Sequence, residues 1–372
     1  MTPPRDSGAP EDGEGQRTPV LADVAERAGV SQQTVSRVVN GSPAVARRTR
    51  ERVELAIAEL GYRPNAAARA LVTRRSRRIG VVAASSALHG PAMTLLGVQE
   101  AAREAGYSVA VVMVRDLKPA SVDEALRELR DQAVDGAVAI VPEDASQAAV
   151  AAAEATFPCV LAPGLDGAGV ADAYWGEVAA ARAVAAHLLG LGHETVHHLA
   201  GPADWAESRS RATGWRTALV EAGRRVPPPV RGDWTAPSGY LGGRRLLAAG
   251  ATAIFAGNDH MAIGAVRAVV DHGLSVPGDV SVVGFDDVPE AAYLNPPLTT
   301  VHQDFAEIGR RCVHLLLGRI TNRVVDLGGL NPALVVRAST APPGLHVHPV
   351  RPEPGRAGAG EVPPQVRTTS SA

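Results

Sequence analysis

Between Leu21 and Val39 the apolar positions form two short helical stripes separated by one glycine. Leu21, Val24, Ala25 and Ala28 stand at i, i+3, i+4 and i+7, which puts them on a single face. Thr18 is placed to cap this helix and Pro19 to open it, where a missing N–H costs nothing. Gly29 stops it, Val30 turns inward, and Ser31 is placed to cap a second helix whose Val35, Val38 and Val39 face the core. The face left over holds Gln32, Gln33, Ser36 and Arg37, with Asn40 at its end. This is the pattern of a helix-turn-helix, which lays its second helix in the major groove of DNA. A third helix is expected over 46–60, with Thr49, Val53, Ile57 and Leu60 at helical spacing and Gly61 as its stop.

After Pro64, Asn65 can cap a stretch over 66–72 that is rich in helix formers. It is far shorter than the roughly 12 to 15 residues an isolated helix needs, so it should be helical only when something holds it. Leu71 on a small-residue background suits a wedge between base steps in a minor groove; a plain linker is the bland alternative.

From residue 78 the texture changes to alternating strands and helices. Strands are expected over 79–84, 109–114, 136–141 and 158–161, with helices over 93–105 and 122–132. A second series follows: helices over 176–191, 208–222, 238–249 and 261–272, and strands over 195–199, 253–256 and 280–285. Such alternation predicts parallel sheets with helices on both faces. Two series in succession predict two lobes with a cleft between them, a layout similar to that of type I periplasmic sugar-binding proteins. The fold class is α/β: a three-helix headpiece followed by a two-lobed body.

Composition sets the limits. The chain has 372 residues, 45% of them apolar, enough for two or three domains. No run approaches the roughly 18 uninterrupted apolar residues of a membrane span. Residues 1–17 are rich in Pro, Gly and acid and lack the order of a secretory signal, so a cytoplasmic protein with no membrane partner is expected. Cys159 and Cys312 make no disulfide framework and are expected in the core. The net charge of −2 is uninformative, but residues 17–78 hold thirteen arginines against five acids, a local charge of +8. A basic head on a neutral-to-acidic body is the electrostatic footprint of nucleic-acid binding. Arg47, Arg48 and Arg50 lie near the start of the third helix, placed for phosphate, while Gln and Arg on the second helix can pair with adenine and guanine.

With these residues in view, 18–72 resembles the headpiece and hinge of the LacI/GalR family of bacterial repressors, and the likeness runs on to about residue 341. The resemblance implies that Gln32, Gln33, Ser36, Arg37 and Asn40 contact bases, and that Ala68 and Leu71 sit in the minor groove of a kinked operator centre. It implies the division 1–17 tail, 18–64 DNA-binding domain, 65–77 hinge and linker, 78–341 effector-binding and dimerisation domain, and 342–372 tail.

Ligands of open α/β sheets bind at the carboxyl ends of strands. There the chain carries Trp205 and Arg211, Asp233-Trp234, Asn258-Asp259 and Asp286-Asp287. A flat aromatic beside carboxylates, amides and an arginine suits a small polyol. The family resemblance implies an effector pocket of Leu88, Pro91, Trp205, Arg211, Trp234, Asn258, Asp286, Gln303 and Phe305, with Leu88 to Pro91 as a first-lobe wall. The first-lobe strand ends carry Asp116, Ile140 and Pro163 where a galactoside-responsive member presents Arg, Asn and Asp. That wall is therefore less polar, and a galactoside does not follow.

His193-Glu194-Thr195-Val196-His197 matches the zinc-protease string HExxH, but Gly190, Gly192 and the β-branched pair point to a turn and strand. No nucleophile elbow or P-loop is found, so neither an enzyme nor a cofactor is expected. The tail after 342 lacks a leucine heptad and should be disordered. The expected molecule is a homodimer that binds a near-palindromic double-stranded operator under control of a small-molecule effector, a sugar or polyol, and represses a sugar-utilisation operon. The rival is a cytoplasmic small-molecule-binding protein without operator specificity.

Overall fold

The computed structural model describes residues 19–63, 75–84, 88–116, 118–141, 143–162, 168–325, 327 and 332–344. The chain divides into two units. One runs to Arg78 and includes Ala133–Asp135; the other comprises Ile79–Gln132 and the chain from Gly136 onward.

In the first unit, α1 (Leu21–Ala28), α2 (Gln32–Val39) and α3 (Arg47–Leu60) enclose Val24, Ala25, Ala28, Val35, Val38, Val53, Ala56 and Tyr62. Helix α1 starts later than the Thr18–Pro19 signal suggested. Val20 occupies its N-cap and donates its N–H to the Asp23 carboxylate at 2.7 Å, so an acid inside the first turn does the capping. Gly29 takes a left-handed φ of 61° at the turn. Ser31 Oγ accepts the Thr34 N–H at 3.2 Å, the cap expected of it. Three arginines hold this unit together. Arg27 pairs with Glu59 at 2.6 Å, and Arg52 Nη2 donates to the carbonyls of Ala28 and Gly29 at the turn. Arg50 donates from Nη2 to the Ser42 carbonyl at 2.6 Å.

The second unit holds two four-stranded sheets. In the first, ordered β2-β1-β3-β4, β1 (Arg78–Ala84), β3 (Gly136–Ile140) and β4 (Cys159–Leu161) run parallel, with β2 (Ser108–Val114) at the edge. Helices α4 (His89–Glu104), α5 (Pro119–Asp131) and α6 (Asp144–Glu154) connect them. After α7 (Ala168–Gly190) comes a second parallel sheet of β5 (His197–Ala200), β6 (Val230–Arg231), β7 (Ala253–Ala256) and β8 (Ser281–Val283), ordered β6-β5-β7-β8. Its crossovers are α8 (Ala206–Glu221), α9 (Ala236–Ala248) and α10 (Asp259–Asp271). Cys159 and Cys312 are buried in the first lobe, and burial pushes the Cys159 thiol up to about 12. Among the described residues no helix is long and apolar enough to cross a membrane.

Two simple successive lobes is where the expectation needs correction. After β8, a 3₁₀ turn (Pro289–Tyr293) and β9 (Thr300–His302), the chain returns to the first lobe as α11 (Phe305–Thr321). Helix α11 packs along α4 and over β3 and β4, burying Ile308, Cys312, Val313 and Leu316. It then pairs β10 (Ala333–Val335) antiparallel to β9. The α4–α11 contact is backbone against backbone: a Cβ at Gly309 would lie 2.5 Å from the Thr94 carbonyl oxygen, and one at Gly97 2.4 Å from that of Ala306. Helix α6, α11 and the short strands β6, β9 and β10 went unanticipated. The small-residue runs of α6 and the short paired strands carry little periodic contrast for a sequence pattern to show.

Candidate functional site

On α2, the side opposite buried Val35 and Val38 presents Gln32, Gln33, Arg37 and Asn40 to solvent, with Ser36 half-buried among them. Asn40 Nδ2 donates to Ser36 Oγ at 3.3 Å, which orients the end of this face. Ala68 and Leu71, the minor-groove candidates, lie outside the described residues.

Within the second unit a cleft opens between the lobes, enclosing about 710 Å³ of empty space, part of it open solvent. All nine residues expected in the effector pocket line it. The first lobe supplies Leu88, Pro91 and Thr94 from the start of α4, Ile140 and Val141 after β3, Ala162 after β4, and Phe305 and Ile308 from α11. This wall is largely apolar, with His89 and Thr94 its polar side chains. The second lobe supplies Trp205, Arg211, Trp234, Asn258, Asp286 and Gln303, together with Glu177 and Glu207.

Arg211 is the electrostatic centre. Its Nε and Nη2 donate to Glu177 at 2.7 and 3.2 Å, its Nη1 donates to the Gly257 carbonyl, and Asp286 lies 3.5 Å away. The guanidinium also lies 3.9 Å from the centroid of the Phe285 ring. Burial alone would lower the Arg211 pKa, but the carboxylates of Glu177, Asp286 and Glu207 reverse that and raise it. Burial pushes the Asp286 carboxyl up to about 6 against the pull of Arg211. Glu207, enclosed and near Glu177, rises to about 7. As a residue it keeps some exposure, but its Oε2 is closed off from solvent and has no hydrogen-bond partner.

Two of these side chains sit on strained backbone. Trp234 has φ 74° and Asp286 φ 111°, values that residues with a Cβ rarely adopt. Asn258 Nδ2 holds the Trp234 carbonyl at 3.1 Å, and the indole fills space that any side chain at Gly201 would need, 2.2 Å from a Cβ there. Asp286 is held by its own N–H to the Val301 carbonyl at 2.8 Å and by Gln303 Nε2 at 3.1 Å. The surroundings over-determine both conformations and aim both side chains at the cleft.

Other strand-end acids do different work. Asp233 accepts from Thr235 and Ser238, with no place in the cleft lining. Buried Asp259 accepts from Thr300 Oγ1 at 2.5 Å and from the Val288 N–H at 2.9 Å, and burial pushes it up to about 8. Asp287 pairs with Arg337 at 2.7 Å. Asp116 is exposed and binds Lys118 and Ser121, away from the lining residues, while Pro163 lies outside the described residues. His193 of the HExxH string sits in a turn and His197 begins β5. The His193 ring is engaged by Thr252, Ser281 and the Ala341 carbonyl, each at 3.1 Å. Glu177, Glu207, Thr94 and Ile308 were missed. Glu207 stood inside the Trp205–Arg211 cluster, and Glu177 was the one acid within the helix expected over 176–191; both were legible as candidates.

Residues 20–65 match the model for bacterial regulatory proteins of the lacI family, and 185–340 that for a periplasmic binding protein-like domain. The lactose operon repressor of Escherichia coli (strain K12) is 38% identical over 323 residues, covering 86% of this chain and 90% of that protein. The chain belongs to the lacI family. The HTH-type transcriptional repressor PurR of Haemophilus influenzae (strain Rd) is 32% identical over 335 residues, covering 86% of this chain and 98% of that one. The crystal structure of the lac repressor dimer bound to operator and the anti-inducer ONPF matches with a TM-score of 0.75 and 36% identity. It covers 87% of this lacI-family chain and all of that chain. The likeness spans both the helix-turn-helix and the two-lobed body.

Proposed function

We infer that this protein is a sequence-specific DNA-binding repressor whose operator affinity is set by a small molecule held between the lobes. The observation that carries this reading is the presence, in one lacI-family chain, of an exposed α2 face of Gln32, Gln33, Arg37 and Asn40 and a cleft built around Arg211, Asp286 and two tryptophans. The α2 side chains would read base edges, and exposed arginines of the head such as Arg48 would supply phosphate contacts. Relatives named as a lactose operon repressor and the transcriptional repressor PurR support a regulator rather than an enzyme. A sugar or polyol suits the aromatic and amide donors of the second lobe.

The working unit would be a homodimer, as in the operator-bound lac repressor, so two α2 helices would engage the half-sites of a near-palindrome. Ala68 and Leu71 would enter the minor groove at its centre. Effector binding would shift the population between operator-competent and operator-incompetent dimers. The test is selection of duplexes from a random pool by the full chain, followed by titration of metabolites against the selected site. A recurrent two-fold sequence whose retention changes with one metabolite is expected; recovery of no preferred sequence would overturn the reading.

A further inference from the structure

The cleft's charge is unbalanced. Three carboxylates, Glu177, Glu207 and Asp286, line it against the single guanidinium of Arg211. That guanidinium is already spent on Glu177, the Gly257 carbonyl and Asp286. An anionic ligand would meet an occupied arginine and three acids. A neutral polyol would bring no charge to pair with these acids, which would shed the excess by protonation, the direction in which burial already pushes Glu207 and Asp286; a cation could pair with them.

Two polar atoms in the lining have no partner within the protein. Glu207 Oε2 is an enclosed acceptor waiting for a donor. Trp234 Nε1–H is an enclosed donor waiting for an oxygen, on a residue only 5% exposed. Buried polar groups are satisfied in working states, so this pair describes complementary groups on a ligand. Trp205 lies 5.5 Å from Trp234, centroid to centroid, and aromatic rings at the cleft wall favour a cation. The opposite wall is mainly apolar, built of Leu88, Pro91, Ile140 and Ile308, with His89 and Thr94 as its polar side chains.

We propose that the effector carries a protonated amine, seated against the Glu207 carboxylate beside the two tryptophans, with a hydroxyl oxygen accepting from Trp234 Nε1. Amino sugars and amino polyols are the chemical class. This rests on the cleft being the effector site, as inferred above, and narrows what that site takes. Glu207 must ionise to hold the ammonium. Binding should therefore release a proton below neutral pH and tighten as pH rises, until the amine itself loses its proton.

Matched pairs test this on the full chain: 2-amino-2-deoxyglucose against glucose, and 1-amino-1-deoxyglucitol against glucitol. Binding is followed by tryptophan fluorescence and by calorimetry in buffers of differing ionisation enthalpy. Each amine should bind at least about tenfold tighter than its hydroxyl twin, the scale of one desolvated cation–π contact or ion pair. Glu207→Gln, nearly isosteric, should erase that preference and the proton release while the chain stays folded, its thermal midpoint at neutral pH no lower than the parent's. Hydroxyl twins binding as tightly as the amines, a preference that survives in Glu207→Gln, or silence of every amine at millimolar concentration would each overturn the proposal. If neutral sugars alone release a selected operator, the amine assignment falls and the repressor reading stands. If the chain selects no DNA at all, the repressor reading falls whatever the cleft binds.

Discussion

Arg37 and Arg211 show how differently one residue type is used in the two units. Arg37 is exposed on the α2 face, free to meet a base. Arg37→Ala should cost about 1–3 kcal/mol of operator affinity and relax preference at one position of each half-site, read by competition between operator variants. A uniform loss across sequences would instead assign it to phosphate. Arg211 is enclosed among carboxylates, and its removal leaves Glu177 and Asp286 facing each other without compensation. Arg211→Ala should destabilise the body by about 3–5 kcal/mol, seen as a lower denaturant midpoint. Glu207 has the opposite sign. Its carboxyl is raised to about 7 in the folded protein, from an unfolded value of about 4.3. Its contribution to stability is therefore full below the unfolded value and lost as pH rises through about 7. The stability of Glu207→Gln relative to the parent should climb between pH 4 and 7 and level off above. A flat difference would mean that the acid is not desolvated.

At the scale of elements, α3 separates arginines by what they touch. Arg52 reaches back to the carbonyls at the end of α1 and fastens the helix-turn-helix, whereas Arg48 is exposed at the helix N-terminus. Arg48→Ala should lower the salt slope of operator binding by about one unit with unchanged stability. Arg52→Ala should lower the melting temperature of the head while leaving the slope nearly intact. Helix α11 depends on a different feature. Gly97 and Gly309 let it lie backbone to backbone on α4, and no side chain can yield where the nearest atoms are main chain. Gly309→Ala should cost about 1–3 kcal/mol through overpacking and, because Phe305 and Ile308 ride on the same helix, should also weaken effector response. Calorimetric unfolding and effector titration on one sample would show whether the two losses move together.

For the whole molecule, the return of α11 is the consequential feature. The first lobe is completed by chain that has already passed through the second, so the cleft walls are coupled by covalent crossings. Removal of residues 305–344 should therefore strip apolar cover from β1, β3 and β4 and prevent cooperative unfolding of the first lobe. Persistence of a single sharp transition in that truncated chain would count against this view of the lobe.

The local signals were readable along the chain because each depends on neighbours in sequence. Helical stripes, Ser31 as a cap, Gly29 and Gly61 as stops, and the α/β alternation all act within a few residues. The polar, solvent-facing side of α2 follows from the same periodicity. What the chain order could not display was juxtaposition. The backbone contact of Gly97 with α11, the Glu177–Arg211 pair and the desolvation of Glu207 join residues tens to hundreds of positions apart. Even the placement of Trp234 depends on a missing side chain at Gly201 and an amide from Asn258. Periodicity determined most of the helices and the longer strands, though not α6, α11, β6, β9 or β10, and it determined which face of α2 stays polar. Only tertiary packing decided which acids lost their water, because solvent exclusion belongs to the assembled cleft and to no segment by itself.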